Sequence, residues 1–512
     1  MPLDNGFFQL SFVLVCAFLI YKLIKNVTKS IDSGWRSQNK YTRMLDEPES
    51  VFELLQEQDG TGNICLVLTL KSKKKLSKGD VYDALVLLTK RQPMLRAVIP
   101  SVPPVPPSAE WSESKYFEVI DGDDIVDFTT SDVKARQWKD MWYEFTSSPH
   151  GSGLLWRGVL LQEEYLTDTE VYINTLVFKV CHACFDGVSS MKFCKQFLYY
   201  LNSVASGTLS READVESLDS MPGLSKILLQ QKPWPVWQKC LGLPQIWKVI
   251  LKAVVRLNVG TVRPKYPFQC LGPTFSSDTE QKQRLISKVF SVEETVELVR
   301  ACKSNACTVT GALMAIIHME FCKILDERRL LLPSQLEHYL AINAQRNCEV
   351  KPHEEYLGQY YMRHHFFMPF AKQVVDFWKF AKETTTSIHI DLNQEVHIKQ
   401  HFARLNACNP EDICRKLMLV SDPDEIMTPC NLLSNTGSFN FGKEQHYIYD
   451  VNECLLNTQI EKLPGVFYHF ITTVNDKLSW VISFNGSRIA EEIVQQFLNN
   501  CFNSLSEIND IN

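Results

Sequence analysis

The chain has 512 residues, 45% hydrophobic and 22% charged, long enough for a large core and more than one lobe. A formal net charge of -6 excludes nucleic-acid binding by bulk electrostatics. Sixteen cysteines without regular spacing exclude a secreted disulfide framework and suit a reducing compartment, where they pack as small apolar residues.

The N-terminus carries a run of mostly apolar residues from Phe7 to Ile24, about long enough to span a bilayer. No Lys or Arg precedes it, and Lys22, Lys25, Lys29, Arg36, Lys40 and Arg43 follow it. That order does not fit a cleaved signal peptide. Residues 1–30 are expected to form a single-pass anchor, with the bulk of the protein on the cytosolic side by the positive-inside bias. Residues 31–215 then read as a first lobe. Asn63–Leu70 predicts a buried strand, and the stretch from Lys78 predicts a helix stopped near Pro93. Val171–Val180 is almost continuously apolar, the pattern of a central strand, and helical periodicity resumes from Val188.

Residues 216–280 differ in composition. Between 220 and 277 there are seven prolines, Trp234, Trp237 and Trp247, eight basic residues and no Asp or Glu. A basic, Trp-rich segment of this kind suits a membrane interface, and a crossover between lobes explains it equally well. Residues 281–512 return to mixed patterns and form a second lobe. A helix entered through Thr308, strands around "HYLAINAQRN", "GSFNFG" and "KLSWVISFNGSRI", and a C-terminal amphipathic helix are expected.

The chemistry gathers at "VCHACFDGVSS", Val180–Ser190, between the central strand and the next helix. Cys181 and Cys184 form a Cys-x-x-Cys pair, but no second pair exists to complete a zinc site, and Phe185 excludes c-type haem attachment. No metal site is expected. The other pattern is His-x-x-x-Asp-Gly: His182, Asp186 and Gly187. A neutral imidazole can take a proton from a hydroxyl, a carboxylate can brace the loop through an Arg, and Gly187 permits close backbone approach. Other histidines read as structural. His364 and His365 face opposite sides of a strand, and His397 and His401, four apart, read as solvated. No Gly-x-Ser-x-Gly elbow or phosphate loop is present.

On these residues the chain resembles the condensation-domain and chloramphenicol-acetyltransferase-like acyltransferase superfamily, over about residues 45 to 505. The His-x-x-x-Asp-Gly motif carries the resemblance. "VYDALVLLTKRQPMLRAVI", "LLWRGVLL", "TVTGALMAIIH", "INAQRN" and "LSNTGSFNFG" are similar to family segments and occur in family order. Cys181 stands where condensation domains and wax-ester synthases place a first histidine, and the Asp-Phe-Gly-Trp-Gly motif of BAHD enzymes is absent. The alcohol-acetyltransferase-like branch is therefore expected. The resemblance implies an α/β fold: two chloramphenicol-acetyltransferase-like lobes with mixed sheets and an inter-lobe tunnel, plus the N-terminal transmembrane helix. It implies acyl transfer from acyl-CoA as co-substrate, with no other cofactor, to the hydroxyl of a lipid-like alcohol. His182 would be the general base and Asp186 a structural residue paired with Arg346. Ser434, Asn435 and Ser438 are candidate donors to the oxyanion. The expected setting is a monomer at the endoplasmic reticulum membrane with a cytosolic catalytic domain. An N-acyltransferase and a non-catalytic lipid-binding relative are the alternatives.

Overall fold

Ile64–Ser72 (β1) is buried along almost its whole length because both of its faces are covered. Ile64, Leu66, Leu68 and Leu70 face one core, while Cys65 and Val67 face another. In the computed structural model, residues 42–510 are described, apart from 101–114, 123–124, 151–152, 232–282, 329–333, 372–375, 408–429 and 443–446. The expected membrane anchor and most of the basic, Trp-rich crossover lie outside the described residues. No single helix among the described residues is long and apolar enough to cross a membrane.

The first lobe begins with α1 (Glu47–Asp59), opened by a capping box of Asp46 and Glu49. After β1 comes α2 (Lys78–Arg91), capped by Ser77 and ended before Pro93. β2 (Phe128–Lys134), β3 (Trp156–Gln162) and β4 (Val171–Val180) follow, then α3 (Gly187–Ala205) and α4 (Leu224–Gln231). The second lobe holds β5 (Gln283–Val289), α5 (Val292–Ser304), α6 (Val309–Glu327), β6 (Gln335–Asn343), β7 (Tyr361–Pro369), α7 (Phe377–Asn393) and α8 (Val396–Ala407). It continues with β8 (Asn431–Phe439), β9 (Asp450–Thr458), β10 (Phe467–Val474), β11 (Lys477–Asn485) and α9 (Glu491–Asp510).

Two mixed sheets result. The first has the order β9-β1-β4-β3-β2, and the second β7-β6-β8-β10-β11-β5. β9 is drawn from the second half of the chain but pairs antiparallel with β1, from Asp450↔Lys71 to Thr458↔Ile64. The lobes thus share a strand as well as a packed interface. Val67, Val177 and Leu455 from the first sheet meet Tyr468, Phe470 and Val481 from the second in one apolar cluster. This double coverage of β1 and β4 explains why both read as mostly apolar runs rather than alternating ones, with Thr69, Asn174, Thr175 and Lys179 as buried polar exceptions.

Arg346 departs from expectation. It lies in a short 3-10 turn, Ala344–Asn347, beyond the end of β6, because the Asn343 side chain accepts the N–H of Gln345 and closes the turn. His397 and His401 also depart: both are buried, not solvated. α8 packs its inner face on β7, and His401 Nε2 is 2.7 Å from the Ser225 hydroxyl of α4.

Candidate active site

β4 ends at Val180, and the next seven residues make the turn that the motif occupies. Cys181 N–H donates to the Leu155 carbonyl at 2.8 Å, and Cys184 N–H donates back to Cys181 at 2.9 Å. Both thiols are free and buried. Burial pushes the Cys181 thiol up to about 12 and the Cys184 thiol well above its usual value. Neither is a reactive thiolate. They fill space beneath the loop.

Asp186 is the N-cap of α3, with Oδ1 accepting the Ser189 N–H at 2.9 Å. Its Oδ2 accepts the Tyr360 N–H, also at 2.9 Å. The Ser189 hydroxyl donates to the Gly358 carbonyl at 2.9 Å, and the Asp186 N–H reaches the same carbonyl at 3.3 Å. Asp186 therefore ties the helix of the first lobe to the segment leading into β7 of the second. The expected pairing with Arg346 does not form: Arg346 is exposed, and both oxygens of the buried carboxylate are taken by main-chain amides. Burial raises the Asp186 carboxyl above its ordinary range, and those two amides oppose the rise.

His182 sits at the wall of a cavity of about 80 Å³ between the lobes, which opens to solvent. Its ring stacks on Phe52 of α1, with centroids 4.0 Å apart and planes 6° from parallel. Tyr361 lies on another side, its centroid 5.7 Å away. Burial lowers the imidazole to about 4, against a hydrogen bond from the ring to its own main-chain carbonyl. The ring is neutral at pH 7. That carbonyl only accepts, so the contact favours the proton on Nδ1 and leaves the Nε2 lone pair available. Gln359 Nε2 lies 3.2 Å from Nδ1 while its Oε1 accepts the Tyr361 N–H at 3.0 Å. In that orientation the carboxamide favours the opposite tautomer, so Gln359 sets the balance between the two.

The cavity is mostly apolar, with Val51, Leu55, Ile64, Leu432, Leu456 and Phe470 in its walls. Ser434 and Gly187 line it beside His182. Among the described residues the Ser434 hydroxyl has no hydrogen-bond partner. Asn435 is committed elsewhere: its Nδ2 donates to Thr310 Oγ1 at 3.0 Å, and its Oδ1 accepts the Gly437 N–H at 3.0 Å. Ser438 is exposed and outside the cavity, beyond the register shift in β8. Of the three expected oxyanion donors, only Ser434 reaches the site. Gly187 is closely packed: a Cβ there would meet Thr436 Cγ2 at 3.1 Å and Leu456 Cδ2 at 3.3 Å. No cluster of three or more metal-ligating side chains occurs among the described residues.

The fold agrees with comparisons to known proteins. An alcohol acetyltransferase family model matches residues 127–501, which include the whole motif, β8 and both sheets' central strands. The chain belongs to the alcohol acetyltransferase family. Comparison by sequence with curated proteins found no match. Among solved structures, the fold resembles TRI3 trichothecene 15-O-acetyltransferase from Fusarium sporotrichioides, with a TM-score of 0.65 at 12% identity over 91% of this chain and 95% of that one. It also resembles the epimerization domain from the third module of tyrocidine synthetase B, with a TM-score of 0.59 at 12% identity, covering 93% of this chain and 99% of that one. Polyketide synthase associated protein 5 from Mycobacterium tuberculosis gives a TM-score of 0.58 at 11% identity, with coverage of 93% and 99%. At these identities the likeness is one of fold.

Three parts of this alcohol acetyltransferase site escaped sequence reading: Phe52, Gln359 and the Tyr360 amide. Phe52 is one apolar residue on a helix, with no local signal. "LGQYY" (Leu357–Tyr361) does carry one: a Gly and a Gln opening a strand, where chains often bend to present polar groups.

Proposed function

We propose that the protein is a membrane-anchored, acyl-CoA-dependent O-acyltransferase that moves an acyl group, such as acetyl, to the hydroxyl of an alcohol with an apolar body. The single observation that carries this reading is the neutral His182 imidazole at the wall of an apolar cavity, with the uncommitted Ser434 hydroxyl lining the same space. His182 Nε2 takes the acceptor's hydroxyl proton as that oxygen attacks the thioester carbonyl. The tetrahedral oxyanion accepts from Ser434. Its collapse breaks the C–S bond, and the leaving thiolate takes the proton back from the imidazolium. The products are the ester and free thiol, with no acyl-enzyme.

A second, polar groove supports a separate approach for the donor. Lys192, Lys195 and Tyr199 of α3 line it together with Phe439 and Asn440 at the end of β8, and Glu354 and Glu355 lie on its wall as well. The same two elements contribute Gly187 and Ser434 to the cavity, so they run from one space to the other. Lysines and aromatic rings suit the phosphates and base of a coenzyme A donor. The apolar run Phe7–Ile24 and its basic flank support anchoring at the endoplasmic reticulum with the catalytic part cytosolic.

The test supplies microsomes carrying wild type or His182→Ala with labelled acetyl- and longer acyl-CoA and a panel of alcohols. Ester formation by wild type and its loss in the variant is expected. Equal transfer by both would sink the reading.

A further inference from the structure

Arg363 is the charged residue lining the cavity that contains His182, and acyl transfer as derived above makes no use of it. It follows Tyr361 by two residues on β7, so both side chains point to the same face of the strand, the one that lines the cavity. Its Nε is shut off from solvent and has no hydrogen-bond partner among the described residues. Its guanidinium lies over the Tyr339 ring, 4.9 Å from the centroid. The groups around it are phenols: Tyr361, Tyr339 and Tyr468 act on its charge, Tyr361 and Tyr339 through side-chain hydrogen bonds. No carboxylate among the described residues forms an ion pair with it. Glu337, on the neighbouring strand, is engaged by His365 Nδ1 at 2.6 Å.

Arg363 is half-buried: its Nε has lost water without gaining a partner, and phenol oxygens and a ring face stand in for the carboxylate that a guanidinium usually pairs with. A guanidinium that lines a substrate cavity with no carboxylate paired to it matches, through its planar fork, the two oxygens of a carboxylate. The surrounding walls are apolar, so the molecule that fits carries a hydrocarbon body as well. We infer that Arg363 selects a substrate bearing a carboxylate at the far end of an apolar body from the reacting hydroxyl. The inference rests on the acyl-transfer reading and narrows its acceptor to hydroxy acids. The acceptor supplies the carboxylate because the polar groove along α3 and β8 is left for the donor. A carboxylate on the acyl group is the other source of the same chemistry.

The experiment uses the full chain. Rates with acetyl-CoA are measured for an ω-hydroxy fatty acid, its methyl ester and the fatty alcohol of equal length. A further arm uses succinyl-CoA with the fatty alcohol. Binding of the hydroxy acid and the ester is measured by calorimetry in wild type, His182→Ala, Arg363→Met and Arg363→Lys. Wild type is expected to favour the hydroxy acid over its ester at least tenfold in kcat/KM and in binding. Arg363→Met brings both ratios close to one, and Arg363→Lys restores part of them. His182→Ala keeps the binding preference. Ester formation with no preference for the acid overturns the inference and leaves acyl transfer standing. Selective binding without any transfer overturns acyl transfer and leaves the role of Arg363 standing. A preference confined to succinyl-CoA overturns the assignment to the acceptor.

Discussion

Asp186 Oδ2 accepts the N–H of Tyr360 at 2.9 Å, a bond between residues 174 positions apart that joins the two lobes directly behind His182. With Oδ1 capping α3 at Ser189, a single carboxylate fixes both the helix after the motif and the segment that carries Gln359 and Tyr361. Asp186→Asn keeps one acceptor but turns an NH₂ group towards one of the two amides. A buried donor facing a donor is expected to cost about 1–3 kcal/mol. Denaturant unfolding should show that loss together with weakened acyl transfer. Arg346→Ala, by contrast, should change stability by no more than about 0.5 kcal/mol, as for an ordinary surface substitution. A large effect at Arg346 would restore the ion pair that the structure rules out.

In the proposed mechanism His182 acts in its neutral form, and burial holds its imidazole at about 4. Activity should therefore be flat from neutral pH down to about pH 5 and fall tenfold per unit below about pH 4, as protonation removes the base. Gln359→Glu puts a carboxylate beside Nδ1, which favours the imidazolium and raises the pKa. The acid limb of the kcat/KM profile should then move to higher pH. An unmoved limb would show that residue 359 does not govern the proton on Nδ1.

The motif, the central strand and the helix order were legible because each is a local pattern: a mostly apolar run, a cap, a spacing. Val171–Val180 could be bounded to the residue, since double coverage favours an apolar side chain at most positions. What failed was pairing over distance. Arg346 was expected beside Asp186 from the family resemblance, but the carboxylate found amides, which every residue carries and no sequence advertises. His397 and His401 look like a polar pair on a surface helix, and only the docking of α8 against β7 and α4 buries them. Phe52 reaches His182 through the packing of α1, again without a local sign.

Gly187 tests how tightly the lobes close around the site. A Cβ there meets side-chain carbons of Thr436 and Leu456 at 3.1 and 3.3 Å, so Gly187→Ala requires those side chains or α3 to give by a few tenths of an ångström. Overpacking of this kind costs about 1–3 kcal/mol. Because α3 starts at the catalytic loop, the strain falls on the position of His182 relative to Ser434. The expected result is a drop in kcat larger than the change in KM, measured alongside thermal unfolding. A variant that unfolds earlier yet keeps full kcat would separate lobe packing from catalysis.

The second lobe contains a buried polar chain whose direction its ends dictate. Trp480 Nε1–H donates to His469 Nδ1 at 3.2 Å, so His469 carries its proton on Nε2 and donates to Asn431 Oδ1 at 3.1 Å. Asn431 Nδ2 then donates to His338 Nδ1 at 3.3 Å, and His338 Nε2 donates to His318 Nδ1 at 2.9 Å. His318 Nε2 ends the chain on the Pro369 carbonyl at 2.8 Å. An indole only donates and a carbonyl only accepts, so all three histidines must be neutral Nε2–H tautomers. Burial agrees: it lowers His318 to about 4, His469 to about 3 and His338 well below its ordinary value. Folded values below the unfolded value near 6.5 mean that this stability is complete above about pH 6.5 and is lost as pH falls towards 4. Each histidine should remove on the order of 2 kcal/mol by pH 5. Urea unfolding at pH 7 and pH 5 checks the slope, and ¹⁵N shifts of the imidazoles check the tautomers. His338→Leu leaves Asn431 and His318 without their partner, so it should cost about 2–5 kcal/mol at pH 7 and flatten the pH slope. A variant as stable as wild type at pH 7 would show that the chain is not continuous.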